Sequence, residues 1–209
     1  MTGLPGTGKT FASKKLEASL AYYDHIRFKE AEMHTCFDYY SPENDECVLY
    51  EFFLRIECVL DEARGVIFDS PAIHSKTRRE VYDIGKEYGV DVIVVECVCD
   101  EDKAKERLAG LEETVDGYIR PHPTNEDYIS MASAWEPVSA DFSKNGHDDH
   151  PHVSWVRYDS ESNKVENLRV SDSSARIIDD ITRVITSDKN ADKKKDDGFM
   201  RNCSNALHR

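Results

Sequence analysis

The chain has 209 residues, 39% of them hydrophobic and 33% charged, with a formal net charge of −14. That length buries one good core and makes a single domain the default. It contains no run approaching the roughly 18 apolar residues of a membrane span. The acidic balance argues against a polynucleotide partner, because a protein that grips nucleic acid gains most of its affinity from a basic stripe.

Only Met1 and Thr2 precede a glycine-rich stretch, Gly3 to Thr10, after which residues 9–19 read as a helix with Phe11, Leu16 and Leu20 as apolar contacts. Leu20 to Tyr23 then reaches Asp24, which is positioned to cap a second helix. Residues 44–63 carry Val48, Phe52, Ile56, Val59 and Ala63 at spacings of three and four, the signature of an amphipathic helix. Gly65 ends it, and Val66-Ile67-Phe68 is a brief buried strand running into Asp69. Ser75 to Tyr88 predicts the next helix, with Val81, Ile84 and Tyr88 inward and Gly89 at the C-cap. Asp91 to Val98 reads as a strand buried on both faces, as parallel strands are.

A helix from about Asp100 to Ala109 follows, and Thr124-Asn125-Glu126-Asp127 resembles a capping box opening another toward Trp135. Val153–Tyr158 and Val165–Val170 give two short strands. A last helix uses Ile177, Ile178, Ile181, Val184 and Ile185 on one face. Beyond Ser187 the polar composition predicts a disordered tail, 188–209. Strands alternating with helices mean an α/β protein with a doubly wound parallel sheet, in one domain over 1–187. The six cysteines form no Cys-x-x-Cys pair and read as reduced thiols of a cytoplasmic protein.

Gly3-Leu4-Pro5-Gly6-Thr7-Gly8-Lys9-Thr10 matches the phosphate-loop pattern G-x-x-x-x-G-K-[ST] in full. Its glycines let successive backbone N–H groups turn inward around phosphates, Lys9 reaches the β- and γ-phosphates, and the Thr10 hydroxyl serves Mg²⁺. The helix opening at Lys9 adds its dipole. Such a loop normally hangs from a central buried strand, so the sequence predicts a sheet lacking most of its first strand, one that residues ahead of Met1 would supply.

What accompanies the loop narrows the chemistry. The strand ending Phe68-Asp69-Ser70 has no glutamate after Asp69 to polarise water, and no Asn-Lys-x-Asp motif of guanine-specific switches occurs. Transfer to an acceptor other than water gains weight by elimination. Asp24 and Arg27, three residues apart, share one face of a helix start. Beside the loop, Asp24 would accept a proton from an attacking hydroxyl and Arg27 would hold the acceptor or the moving phosphoryl group; away from it they are an N-cap and a surface arginine.

From Gly3 to about Pro137 the chain resembles the small P-loop kinases related to polynucleotide 5′-hydroxyl kinases and zeta toxins, the AAA-type predicted kinases. The resemblance rests on Gly3–Thr10, Asp24-x-x-Arg27, Val66-Ile67-Phe68-Asp69-Ser70, Thr77-Arg78-Arg79, Glu87-Tyr88-Gly89-Val90, Val94-Val95-Glu96-Cys97, Glu106-Arg107-Leu108 and Trp135-Glu136-Pro137. It implies ATP and Mg²⁺ as cofactors and a hydroxyl-bearing small molecule, nucleoside or nucleotide as acceptor. Asp24 falls on the general base, Arg27 on the acceptor-binding arginine, Asp69 on the acidic residue near the metal, and Arg107 on the arginine opening a lid (approximately 109–123). The lid's second arginine is replaced by Leu111 or Glu112, leaving Arg120, Arg78 or Arg79 to substitute. An ATP-binding regulatory module and a polynucleotide 5′-hydroxyl kinase are the competing expectations.

Overall fold

The computed structural model describes residues 1–19, 24–29, 42–111, 114–115, 118–119, 123–142 and 149–187. The tail from 188 onward and, within the expected lid, residues 112–113, 116–117 and 120–122 lie outside them. The elements follow in order as α1 (Lys9–Ser19), β1 (His25–Lys29), α2 (Pro42–Asp61), β2 (Gly65–Asp69), α3 (Ser75–Tyr88), β3 (Val92–Val98) and α4 (Glu101–Ala109). Next come a small antiparallel pair, β4 (Thr114–Val115) and β5 (Tyr118–Ile119), then α5 (Asn125–Ser133), a 3-10 turn (Val138–Asp141), β6 (Val153–Asp159), β7 (Lys164–Arg169) and α6 (Ala175–Thr186).

β1 pairs with β2 in parallel, His25 opposite Gly65 and Lys29 opposite Asp69. β3 pairs with β6 in parallel, and β7 closes that side antiparallel to β6. Met1 and Thr2 lie between the two halves. Thr2 forms a parallel bridge to Glu96, donating its N–H to Val95 O at 2.9 Å and accepting from Cys97 N–H at 2.8 Å. On the other side Met1 N donates to Phe68 O at 2.7 Å and Gly3 N to Pro71 O at 3.1 Å. Met1 and Thr2 therefore link the two halves in the order β1-β2-(Met1/Thr2)-β3-β6-β7, parallel except for β7.

Helices cover both faces because each sheet face is apolar. On one side Ala12 and Leu16 of α1 and Ile178, Ile181 and Ile185 of α6 close over Val95, Cys97, Val156 and Tyr158, with Ile67 and Ile93 at the margin. On the other, Val48, Phe52 and Ile56 of α2 meet Ile84, Phe28, Val66 and Phe68, while Tyr82 of α3 packs with Val94, Val138 and Val153. Burial of these side chains contributes roughly 1.5–3 kcal/mol each for the larger ones. Burial raises the Cys97 thiol pKa to about 12, so it packs as a neutral hydrophobe.

The Ser75–Tyr88 helix ends as its sequence predicts, Gly89 taking φ +64° in the left-handed region with its N–H returned to Lys86 O. Thr124 and Asp127 make a reciprocal capping box. Three local expectations are corrected. Asp24 opens a strand rather than a helix, because residues 25–29 find a parallel partner in β2. Phe11 faces outward beneath Lys15, leaving Ala12 and Leu16 as the buried contacts. In α3 Tyr82, at 1% exposed, is buried more deeply than Val81, which is half-buried.

Candidate active site

The phosphate loop sits where the sheet's central position meets the start of α1. Gly3, Gly6 and Gly8 take φ of +137°, +77° and +95°, the alternation that turns backbone N–H groups toward one concavity. Two of these glycines are also forced by close approach. A Cβ on Gly3 would lie 2.3 Å from Cys97 O at the end of β3, and one on Gly6 would lie 2.5 Å from Ala104 O in α4. The loop is thus seated between β3 and α4, with Leu4 packed on Ala104, Leu108 and Tyr128. Pro5 is buried and Thr7 ties the turn by donating Oγ1 to Leu4 O at 2.7 Å.

Lys9 is 9% exposed and its Nζ donates to Leu4 O at 2.7 Å, which aims the ammonium along the inside of the loop. Thr10 follows in the first turn of α1. One turn later Ser13 donates to Asp69 Oδ2 at 2.8 Å, and Arg27 Nη1 reaches the same oxygen at 3.1 Å. Arg27 Nε also meets Glu17 at 2.9 Å. Asp69, at the C-terminal end of β2, is 3% exposed. Arg27 reaches it because residues 27 and 67 are partners in the ladder and their side chains point to the α1 side.

On the opposite flank Arg107 of α4 donates Nη1 to Gly6 O at 3.1 Å and to Ser160 Oγ at 2.8 Å, and Nη2 to Ser160 O at 3.4 Å. Ser160 opens the β6–β7 turn, anchored by its N–H to Val98 O at 3.0 Å. Asp159 stabilises that turn by accepting from Ser162 Oγ and from the Glu161 and Ser162 N–H groups, which holds its carboxyl below the usual range.

The geometry therefore brings together Gly3, Leu4, Pro5, Gly6, Thr7, Gly8, Lys9, Thr10, Asp69, Arg27 and Arg107. It does not bring Asp24. That residue lies before β1, at the end of the strand remote from the loop. Five residues separate it from the level of Asp69, roughly 16 Å at about 3.3 Å per strand residue. Its side chain is 72% exposed and paired with Arg64 at 3.0 Å. The expected juxtaposition fails because a strand carries the chain away from the loop where a helix would have kept it alongside.

Arg78 does not reach the loop either. Its guanidinium is 3% exposed and engaged with Asp141 at 2.6 and 2.8 Å and with Ala72 O, Ile73 O and Glu136 O. It clamps α3 to the segment after α5. Arg79 turns toward Ala140 O and Asp141 O on the same side. Arg120 is outside the described residues.

Sequence reasoning missed Ser13, Glu17 and Ser160. Ser13 and Glu17 follow Thr10 at offsets of three and seven, a face of α1 legible from helix periodicity once Asp69 is known to lie opposite. Ser160 carries no local signal, since only the β3–β6 pairing places its turn against α4.

Glycine turns of positive φ, a buried lysine opening a helix and an acidic residue at the neighbouring strand's end define a P-loop NTPase of kinase-type fold. A family model described as an AAA domain matches residues 1–118. The chain belongs to that family, the AAA-type predicted kinases. It is 24% identical over 159 residues to bovine (Bos taurus) 6-phosphofructo-2-kinase/fructose-2,6-bisphosphatase 1, a match covering 65% of this chain and 33% of that protein, so the chain spans about one-third of that relative's length. Among solved structures it resembles Chaetomium thermophilum Kti12 in complex with ADP-AlF3, with a TM-score of 0.55 and 18% identity over 88% of this chain and 96% of the other. No helix among the described residues is long and apolar enough to cross a membrane.

Proposed function

We propose that this protein is an ATP- and Mg²⁺-dependent kinase, which transfers the γ-phosphoryl group of ATP to a hydroxyl of a small molecule, nucleoside or nucleotide. The observation that carries the reading is the pairing of an intact phosphate loop, its Lys9 buried inside it, with a buried Asp69 bonded to Ser13, the residue one helical turn after Thr10. The likeness to a bifunctional protein with a kinase name and to a structure holding ADP-AlF3 supports it.

Each residue has a separable task in this reading. Backbone N–H groups of Gly6, Gly8 and Lys9 receive phosphate oxygens, and Lys9 exchanges its contact with Leu4 O for one with the β- and γ-phosphates. Thr10 and, linked to the same helix through Ser13, Asp69 would offer a hydroxyl and a carboxylate, hard oxygens of the kind that hold Mg²⁺ through one or two protein ligands and water. When bound, Mg²⁺ neutralises phosphate charge. Arg27, beside Asp69, presents its guanidinium toward the acceptor side, and Arg107 fixes the rim of the loop. The bond between the γ-phosphorus and the bridging oxygen breaks, a bond to the acceptor oxygen forms, ADP departs, and the hydroxyl proton leaves to a base other than Asp24.

A second reading, an ATP-binding regulatory module with slow or no transfer, draws on a specific observation. Arg78 and Arg79 are committed elsewhere, and Leu111 or Glu112 stands at the expected second lid arginine. A missing charge-stabilising arginine costs on the order of 10³-fold or more in phosphoryl transfer.

The test is phosphate transfer from γ-labelled Mg·ATP to a panel of nucleosides, small alcohols and 5′-hydroxyl oligonucleotides. Label on one acceptor well above free hydrolysis supports the kinase reading and names its substrate class. Tight ATP binding with no labelled acceptor moves the assignment to the regulatory module.

A further inference from the structure

A short connection, Ser70 to His74, joins the end of β2 to the start of α3, and its middle three carbonyls each take more than one donor. Pro71 O accepts from the Gly3 N–H at 3.1 Å and from Thr2 Oγ1 at 2.8 Å. Ala72 O accepts from Thr2 Oγ1 at 3.2 Å and from Arg78 Nη1 at 2.8 Å. Ile73 O accepts from Arg78 Nη1 at 3.1 Å and from the Glu136 N–H at 3.0 Å. Successive carbonyls of an extended chain point to opposite sides, so two that converge on one hydroxyl require the backbone to turn. Ala72 makes that turn. It is 8% exposed and takes φ +41°, in the left-handed region that an L-residue occupies only under constraint. Its N–H is held by Ser70 Oγ at 3.0 Å.

The constraint on its carbonyl side is Arg78, whose guanidinium is a rigid fork of N–H donors. Nη1 grips Ala72 O and Ile73 O, while Nε and Nη2 grip Asp141 at 2.6 and 2.8 Å and Nη2 also meets Glu136 O at 2.9 Å. Asp141 is fixed in turn by the Tyr82 hydroxyl, which donates at 2.9 Å, and the Trp135 ring lies 5.7 Å from the guanidinium carbon. Joining α3 to the segment after α5 takes Asp141 and Glu136 O alone. The Nη1 contacts go beyond that, because Ala72 O is shared between Arg78 and Thr2, and the next carbonyl back, Pro71 O, holds Gly3.

We propose that Arg78 is a positioning residue for nucleotide binding, one that keeps Ala72 at positive φ so that Pro71 O stays in line with the Gly3 N–H and the phosphate loop is presented ready-formed. The proposal rests on the Gly3–Thr10 loop holding ATP, and not on transfer to an acceptor. A preformed loop spares the nucleotide the cost of ordering it. Loosening its root therefore lowers affinity without altering any group that touches phosphate.

The test is calorimetric Mg·ATP binding, with melting read on the same samples without nucleotide, for the parent, Arg78→Lys, Ala72→Gly and the double variant. Lysine keeps a cation opposite Asp141 but lacks the fork. Arg78→Lys is expected to weaken ATP binding by about fivefold or more. Ala72→Gly alone should stay within about twofold of the parent, because glycine adopts positive φ freely. For the same reason the double variant should recover affinity to within about twofold of the parent. A lower melting midpoint in Arg78→Lys with parental ATP affinity would give Arg78 a structural role only and overturn the proposal. A double variant that binds no better than Arg78→Lys would overturn it too. Should Arg78→Lys fail to fold, Thr2→Val decides, since it removes the hydroxyl's bonds to both carbonyls at nearly constant shape. Binding weakened by about threefold or more supports the relay, and parental affinity refutes it. A parent that binds no ATP overturns this proposal together with the kinase reading, whereas a parent that binds ATP as tightly as every variant overturns this proposal alone.

Discussion

Replacing Asp69 by Asn keeps the side chain's volume and an oxygen for Ser13 but removes the charge facing Arg27. The Arg27 and Asp69 side chains are 9% and 2% exposed, so this is an ion pair largely out of water. Breaking a fully buried pair by removing one partner costs about 3–5 kcal/mol. Here Arg27 retains Glu17, itself 46% exposed, at 2.9 Å, and the loss falls to about 2–3 kcal/mol. For a domain of this size each kcal/mol moves the thermal midpoint by roughly 2–4 °C, so D69N is expected to melt about 5–10 °C lower. A cycle of D69N, R27M and the double variant, read by urea denaturation, should return a coupling of about 1.5 kcal/mol or more, since methionine removes the stranded charge. D69N should also lose the Mg²⁺-dependent part of ATP affinity, and R27M should not. A midpoint within 1 °C of the parent, or a coupling near zero, refutes the paired geometry. Unchanged Mg²⁺ dependence refutes the metal role while leaving the pair intact.

Asp24→Asn should leave turnover within about twofold and stability within about 1 kcal/mol, because its pair with Arg64 is solvent-exposed; a hundredfold loss of turnover would put Asp24 in the chemistry after all. Arg107→Ala removes a charge-assisted tie between Gly6 and Ser160 and should weaken ATP binding roughly tenfold. Ser160→Ala should overlap with it rather than add, as equilibrium titration would read. Burial lowers the His150 pKa from its ordinary 6.5, opposed by Asp83 and Asp149 and reinforced by His152 and Arg79. The unfolded chain then takes the proton first, so this contribution is complete above pH 6.5 and is lost as pH falls through and below that value. Urea midpoints between pH 5 and 7.5 should show that slope, and His150→Gln should flatten it.

Much of the architecture was legible because periodicity and caps are local. Gly89, the Thr124 box and the Val48–Phe52–Ile56 spacing each state their own geometry within a few residues. The loop was legible for the same reason, its glycines, Lys9 and Thr10 being contiguous. What depended on pairing was not. Residues 25–29 have a capping-like Asp24 and only two apolar members, and become a strand because β2 offers an edge at the right register. Tertiary pairing overrides such weak local preference. The same misreading moved Asp24 to the wrong end of the molecule. Arg78 looked available beside Arg79, and only the fold shows Asp141 waiting 63 positions later. Ser160 entered the site by the same long-range route.

The most direct test of the account is Mg·ATP binding measured calorimetrically on the parent protein and on Lys9→Ala. Saturable one-to-one binding that weakens by roughly 10–100-fold in the variant, with an unchanged melting profile without nucleotide, is the predicted result. Binding of equal strength in both proteins would contradict it, because ATP would then be held somewhere other than the Gly3–Thr10 loop.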